Sequence, residues 1–319
     1  MLRVHESTLL RSVSLLPVAM VAAIIAVEYY VYCSQHLLPA IARAGGDPFA
    51  SLRGLAQAGV FHFLVGCVVV SYYKVVWTDP GYVTPRVIER VADAVQKAME
   101  EGKAEAAGRA LLPSCRRCNQ AKPFRAHHCS FCNRCVLKMV LAANGCVIIL
   151  SADHHCPWVG NCIGEKNYKF FCQFVVYSFL TLMMIVIALF RPFCDALFNS
   201  GKRMSDEENV TAMALIGFVL AIALALSLGL FIALHSYLLW HGSTTLECHI
   251  YGRQFPFDQG WRKNVRDVFG PSKADWFLPT TVRRDPGQPY ELHEGELEHL
   301  TAPRLFDDDQ SSFEDDSLL

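Results

Sequence analysis

Charge is scarce in this chain of 319 residues. Asp, Glu, Lys and Arg together make up 18% of it, and the formal net charge is −1. A surface that grips phosphates needs a basic surplus, so the composition makes no case for nucleic acid; no nucleic-acid partner is expected. Also lacking is a short N-terminal apolar core followed by a small-residue cleavage site. The first apolar run therefore reads as a retained membrane anchor and not as a removed leader. No stretch reads as a recruitment module, which leaves any protein substrate unnamed.

What the chain has instead is apolar length. Hydrophobic residues make up 52% and concentrate in four runs, 15–32, 55–77, 170–190 and 212–239. A hydrocarbon core about 30 Å thick takes about 20 helical residues. Backbone groups in lipid must be satisfied within the segment, so each run is expected to be a spanning helix. Four spans place both termini and the middle segment on one side. Lys and Arg number twelve in 79–168 and eight after Trp240, against five in the two short opposite loops. The positive-inside bias puts the middle segment and both termini in the cytosol. The host membrane (ER, Golgi, vacuole or plasma membrane) stays open.

Thirteen cysteines are present, eight of them from Cys115 to Cys162 and mixed with His. Such clustering favours metal over disulfides, and a reducing cytosol would keep the thiols free. CRRC at 115–118, HHC at 127–129, Cys132, Cys135, HHC at 154–156 and Cys162 supply enough ligands for two closed tetrahedral sites. Mixed thiolate and imidazole favours zinc over iron–sulfur. A lobe of this size has little core, so the metals should supply folding energy.

Asp153-His154-His155-Cys156-Pro157-Trp158 puts a carboxylate, an imidazole and a thiol within four residues. A free thiol is mostly protonated at neutral pH, and the thiolate is the nucleophile. One His can take the proton, an Asp can orient that His, and the second His can serve a metal. On residue types alone, Cys156 is either this nucleophile or one more ligand.

These motifs, in this order, resemble the DHHC protein S-acyltransferases (palmitoyltransferases). The likeness rests on C-x2-C-x9-HC-x2-C-x2-C, on DHHCPW and on Asn161-Cys162. Flanking motifs add to it: Asn167-Tyr168-Lys169, Asp79-Pro80-Gly81, Thr244-Thr245-Leu246-Glu247 and an aromatic-and-Asn motif around Asn264. The resemblance implies an acyl-CoA-dependent enzyme that acylates cysteines of membrane-associated proteins through an S-acyl intermediate on Cys156, with His154 as base and Asp153 as its orienter. It implies one zinc on Cys115, Cys118, His128 and Cys135, and another on Cys129, Cys132, His155 and Cys162. Lys122, Arg125 and His127 would meet the CoA phosphates. Glu28, Trp158 and Thr181 would line the acyl groove, with Glu28 and Thr181 departing from the commoner pattern.

The expected fold is an all-α integral membrane protein: four transmembrane helices and a cytosolic two-zinc cysteine-rich lobe of short β-hairpins between spans 2 and 3. The divisions are 1–78 with spans 1 and 2, 79–114 with the Asp-Pro-Gly motif and an amphipathic connector, 115–169 as the lobe, 170–240 with spans 3 and 4, 241–300, and a disordered acidic tail from 301. The connector, 83–112, would lie on the membrane or stand in solvent.

One departure stands out. Similar enzymes have four residues between the last Cys of the cluster and the Asp of DHHC. Here Val140–Ala152 intervenes, and removing it restores CVLKM-DHHCPW. The insert is too short to span a bilayer. It is expected to be an extra hairpin or apolar loop, or translated sequence that should have been removed. If its geometry is not tolerated, the chain is an impaired scaffold of the same fold.

Overall fold

The computed structural model describes residues 8–100, 114–123, 125–137, 155–198, 208–245, 247–248, 255 and 257–281. The insert 140–152, the expected catalytic pair Asp153 and His154, and the acidic tail lie outside the described residues.

Span 1 is α1 (Thr8–Tyr32), a π-helical turn (Cys33–Leu37) and α2 (Leu38–Arg43) in sequence. Span 2 is α3 (Pro48–Trp77). It starts seven residues before the apolar run, because Asp47 caps it by accepting the Phe49 N–H and Pro48 takes the first position, where a missing N–H costs nothing. The amphipathic α4 (Pro85–Glu100) leads into six short strands. These are β1 (Ser114–Cys115), β2 (Gln120–Ala121), β3 (Ala126–Cys129), β4 (Arg134–Leu137), β5 (His155–Cys156) and β6 (Asn161–Cys162), paired as three antiparallel hairpins. Span 3 is α5 (Tyr168–Phe198) and span 4 is α6 (Glu208–Trp240). After them come α7 (Trp261–Phe269) and the single turn α8 (Lys273–Phe277). All four spans are long and apolar enough to cross a membrane.

The bundle core is aromatic and branched: Tyr32, Phe61, Leu182, Ile185, Leu189 and Phe218 interlock between the spans. Connector α4, expected to lie on the membrane or stand in solvent, turns its apolar stripe to the lobe. Its Val87 and Val91 are buried against Cys115, Ala126, Cys135 and Leu137, so its apolar stripe covers the cysteine lobe. The lobe offers too little apolar surface to close on itself, and the stripe supplies the missing side.

The lobe is joined to span 2 by backbone as well as side chains. Asp79 Oδ1 accepts the N–H groups of Gly81 and Tyr82, folding the chain into a turn that only glycine suits, at φ 107°. The chain then runs along β4: Leu137 N–H donates to Gly81 O, and Val83 N–H to Cys135 O. The turn after β6 packs onto the same edge, with Glu165 N–H on Leu137 O and Lys166 N–H on Pro80 O. Gly164 sits in this crossing, where a Cβ would meet Val136 Cγ1 at 2.6 Å and press on the Pro80 carbonyl. Gly164→Ala is therefore expected to cost about 1–3 kcal/mol and to lower the thermal midpoint in detergent. An unchanged midpoint would show the crossing to be looser than described.

Candidate active site at the junction of the cysteine lobe and the spans

Two groups of four donors form the lobe. Cys115, Cys118, His128 and Cys135 offer ligand atoms that all lie within 4.8 Å of one another, and so do Cys129, Cys132, His155 and Cys162. This is the partition expected from the resemblance. Hairpin register explains it. β3 and β4 set His128 opposite Cys135, and β5 and β6 set His155 opposite Cys162. Each C-x-x-C turn folds back so that the second cysteine's N–H meets the first sulfur, at 3.4 Å for Cys118 on Cys115 and 3.3 Å for Cys132 on Cys129. The residue after each turn, Asn119 or Asn133, has positive φ, a conformation Asn tolerates.

In both groups the histidine faces the sulfurs through Nδ1: His128 lies 3.1 Å from Cys118 Sγ, and His155 lies 3.3 Å from Cys132 Sγ. The Phe131 ring packs on the His155 ring at 4.2 Å and steadies it. Three soft sulfurs and one imidazole nitrogen in such closeness are a donor set made for a metal ion.

Cys156 belongs to neither group. Successive side chains of a strand point to opposite faces, so with His155 turned toward the sulfurs, Cys156 turns away from them. It packs against the apolar cluster of Tyr72, Val75, Val159, Tyr168 and Cys172, where the lobe meets the spans. Among the described residues Cys156 therefore joins no donor group. Burial pushes its thiol up, while the backbone N–H groups of Val159 and Trp158 pull it down.

Side chains from the spans hold this junction. The Tyr72 hydroxyl lies 2.9 Å from Trp158 O and 3.2 Å from Val18 O, pinning the turn after Cys156 to spans 1 and 2. Asn161 Nδ2 reaches the carbonyls of Val75, Val76 and Thr78 at the end of span 2, and Asn167 Nδ2 adds Val75 O and Cys162 O. Trp158 itself is 46% exposed at this boundary. Glu28 and Thr181 are buried in the bundle. Thr181 hydrogen-bonds the Tyr177 carbonyl of its own helix, and neither Glu28 oxygen has a hydrogen-bond partner among the described residues.

Of the three residues expected to meet CoA phosphates, Lys122 follows β2 half-buried, and His127 lies on β3, opposite in direction to His128. Arg125 is engaged elsewhere. Its guanidinium forms a two-point bridge to Glu247, with Nε on Oε1 at 2.5 Å and Nη2 on Oε2 at 2.7 Å. It also donates to Gly242 O and covers the Phe257 ring at 4.4 Å. Glu247 has a second task. Its Oε2 accepts the Thr244 N–H while Thr244 Oγ1 accepts the Glu247 N–H, a reciprocal capping box that opens the turn after span 4. Thr245 is buried beside it. Thr-Thr-x-Glu thus joins the lobe to the end of span 4. Asn264 completes that end, donating to Trp240 O and to Asp258 Oδ1. A Cβ at Gly242 would meet the Asn264 amide oxygen at 2.7 Å, so only glycine fits there. Residue types alone did not single out Tyr72 or the Arg125–Glu247 pair; the T-x-x-E spacing was the one available signal.

Both Arg125 and Glu247 side chains are more than nine-tenths buried. Removing one partner of a buried pair costs about 3–5 kcal/mol. Glu247→Gln is expected to lower the thermal midpoint sharply and to raise tryptic cleavage at Arg125. If neither changes, the bridge does not join lobe to span.

Residues 142–251 match the family model described as DHHC palmitoyltransferase. The chain is 35% identical over 271 residues to "Probable protein S-acyltransferase 12" of Arabidopsis thaliana, covering 84% of this chain and 87% of that one. It is 33% identical over 288 residues to "Probable protein S-acyltransferase 14" of the same plant, covering 87% and 88%. To "Palmitoyltransferase ZDHHC2" of Mus musculus it is 27% identical over 310 residues, covering 86% and 78%. The chain is a member of the DHHC palmitoyltransferase family.

Proposed function

We propose that this protein is a membrane-embedded S-acyltransferase that carries a long acyl group from acyl-CoA to protein cysteines by way of Cys156. The observation that supports this most is a thiol at the lobe–bundle junction that takes part in neither donor group and faces the apolar side. In the first half-reaction the Cys156 thiolate attacks the thioester carbonyl, forming S-acyl-Cys156 and releasing CoA thiolate. In the second, a substrate cysteine thiolate attacks that carbonyl and Cys156 leaves as thiolate. His154 takes the Cys156 proton and returns it to the departing sulfur, and Asp153 orients His154.

The two donor groups suit zinc, whose tetrahedral preference fits a closed Cys3His set. Bound zinc would supply folding energy to the lobe. Lys122 and His127 are suited to CoA phosphates, whereas Arg125 acts by joining the lobe to span 4. Trp158 suits the membrane interface, with Glu28 and Thr181 at the far end of the acyl groove. The lobe and both termini face the cytosol, where acyl-CoA and substrate proteins meet the same leaflet.

A second reading has its own support in the 140–152 insert, which separates the motif from the cysteine cluster. In that reading the chain keeps the fold and loses turnover. The full-length protein incubated with a palmitoyl-CoA analogue is expected to take up hydroxylamine-sensitive label, abolished by Cys156→Ser. Labelling that survives this substitution would sink the mechanism. Labelling that appears only after deletion of 140–152 would establish the impaired scaffold. Metal analysis is expected to give two zinc per chain, falling to one in Cys135→Ser; an unchanged content would refute the assignment of that group.

A further inference from the structure

Span 3 carries Lys169, Gln173 and Tyr177 at four-residue spacing, which sets them in one row on a helix face. All three donate to backbone carbonyls of one segment. Lys169 Nζ reaches Thr280 O at 2.8 Å. Gln173 Nε2 reaches the carbonyls of Trp276 at 3.1 Å and Leu278 at 2.9 Å, with Asp275 O at 3.4 Å. The Tyr177 hydroxyl donates to Phe277 O. The segment through α8 therefore runs down the side of the span.

Its depth follows from helix rise. Lys169 and Arg191 bracket the apolar run and stand 22 residues apart, about 33 Å, close to one hydrocarbon thickness. Tyr177 lies eight residues inside, about 12 Å below Lys169. Carbonyls at that depth find no water, and irregular backbone is tolerated in a membrane only where protein groups satisfy it. The row on span 3 supplies those donors. What the segment turns outward is apolar: Phe277 is 68% exposed and Leu278 44%. Beside it, exposed Trp261 stacks on exposed Trp240 at the end of span 4, an aromatic pair of the kind that marks a membrane interface. Arg262, Lys263, Arg266 and Lys273 are exposed on α7 and α8, where long cationic side chains suit lipid phosphates.

We propose that residues 273–280 are a wedge inserted beside span 3 into the leaflet on the lobe side. Phe277 and Leu278 pack among acyl chains, and Lys169, Gln173 and Tyr177 replace the water that the backbone lacks there. The wedge would set the height of α7, and through Asn264 and Trp240 that of the turn that holds the lobe. This does not depend on the chemistry assigned to Cys156.

The test uses the full-length protein in phosphatidylcholine nanodiscs, with p-benzoylphenylalanine replacing Phe277, then irradiation and mass spectrometry. Ile187, exposed on span 3, is the lipid-facing control, and Phe131, exposed on the lobe, is the aqueous one. Lipid adducts at 277 are expected within about twofold of those at 187 and about tenfold above those at 131. Adding Gln173→Leu removes the donor for the Trp276 and Leu278 carbonyls. It should cut the yield at 277 about tenfold, the scale of losing buried hydrogen bonds, and leave that at 187 unchanged. A yield at 277 equal to that at 131 would overturn the proposal. So would crosslinks from 277 to residues 282–319 or to a second copy. A yield at 277 that Gln173→Leu does not change would overturn the role given to the row.

Discussion

A helix that stops at a membrane surface leaves its last carbonyls without partners, and here those carbonyls decide where everything else docks. An unsatisfied buried acceptor costs about 1–3 kcal/mol, and little water is at hand to relieve it. The end of span 2 is satisfied by two asparagines of the lobe, Asn161 and Asn167, reaching Val75, Val76 and Thr78. The end of span 4 is satisfied by Asn264 on Trp240. An asparagine amide is short and donates two hydrogens, so it fixes direction as well as distance. The lobe and the C-terminal segment are thus attached at fixed heights on the spans.

The same economy of register organises the lobe. His128 and Cys129 are neighbours in β3 yet serve different donor groups, because adjacent strand positions face opposite ways. The two groups are interleaved and cannot be built independently. His155 and Cys156 repeat the rule with a different outcome: one turns to the sulfurs, the other to the apolar junction. The position of Cys156 is thus a consequence of donor-group geometry one residue away. Arg125 extends the chain of dependence, since the residue two before His127 is bridged to the capping box after span 4.

How much of this was legible in the sequence varies by the kind of interaction. The four spans were, because apolar length is a property of composition along the chain; the start of span 2 was missed because Asp47-Pro48 acts through capping and not hydropathy. The eight ligands were visible as C-x-x-C turns and HHC pairs, and their partition came from family likeness, with hairpin register as its physical cause. Connector α4 showed its amphipathicity and hid its partner, because a stripe of Val says only that something covers it. The bridge made by Arg125 was hidden for the same reason. A basic residue in a cluster suggests phosphate, and only the fold reveals Glu247, 122 residues on, already there. Asp153, His154 and the insert lie outside the described residues, so their expected roles stand on the sequence alone.

The weight of the insert can still be judged from its anchors. On one side of it Leu137 is held by Gly81 O and by Glu165 N–H, and on the other His155 is paired with Cys162. None of these contacts uses the insert. Lengthening a connector from four residues to about seventeen adds about 1.3 kcal/mol of closure entropy. A metal ion held by each donor group would return on the order of ten kcal/mol per site. Entropy of that size cannot unmake the lobe. The effect of the insert is therefore expected to be local and not in the folding of the lobe. Asp153 and His154 adjoin His155 in the sequence, so the roles expected of them at Cys156 are where such an effect would be read.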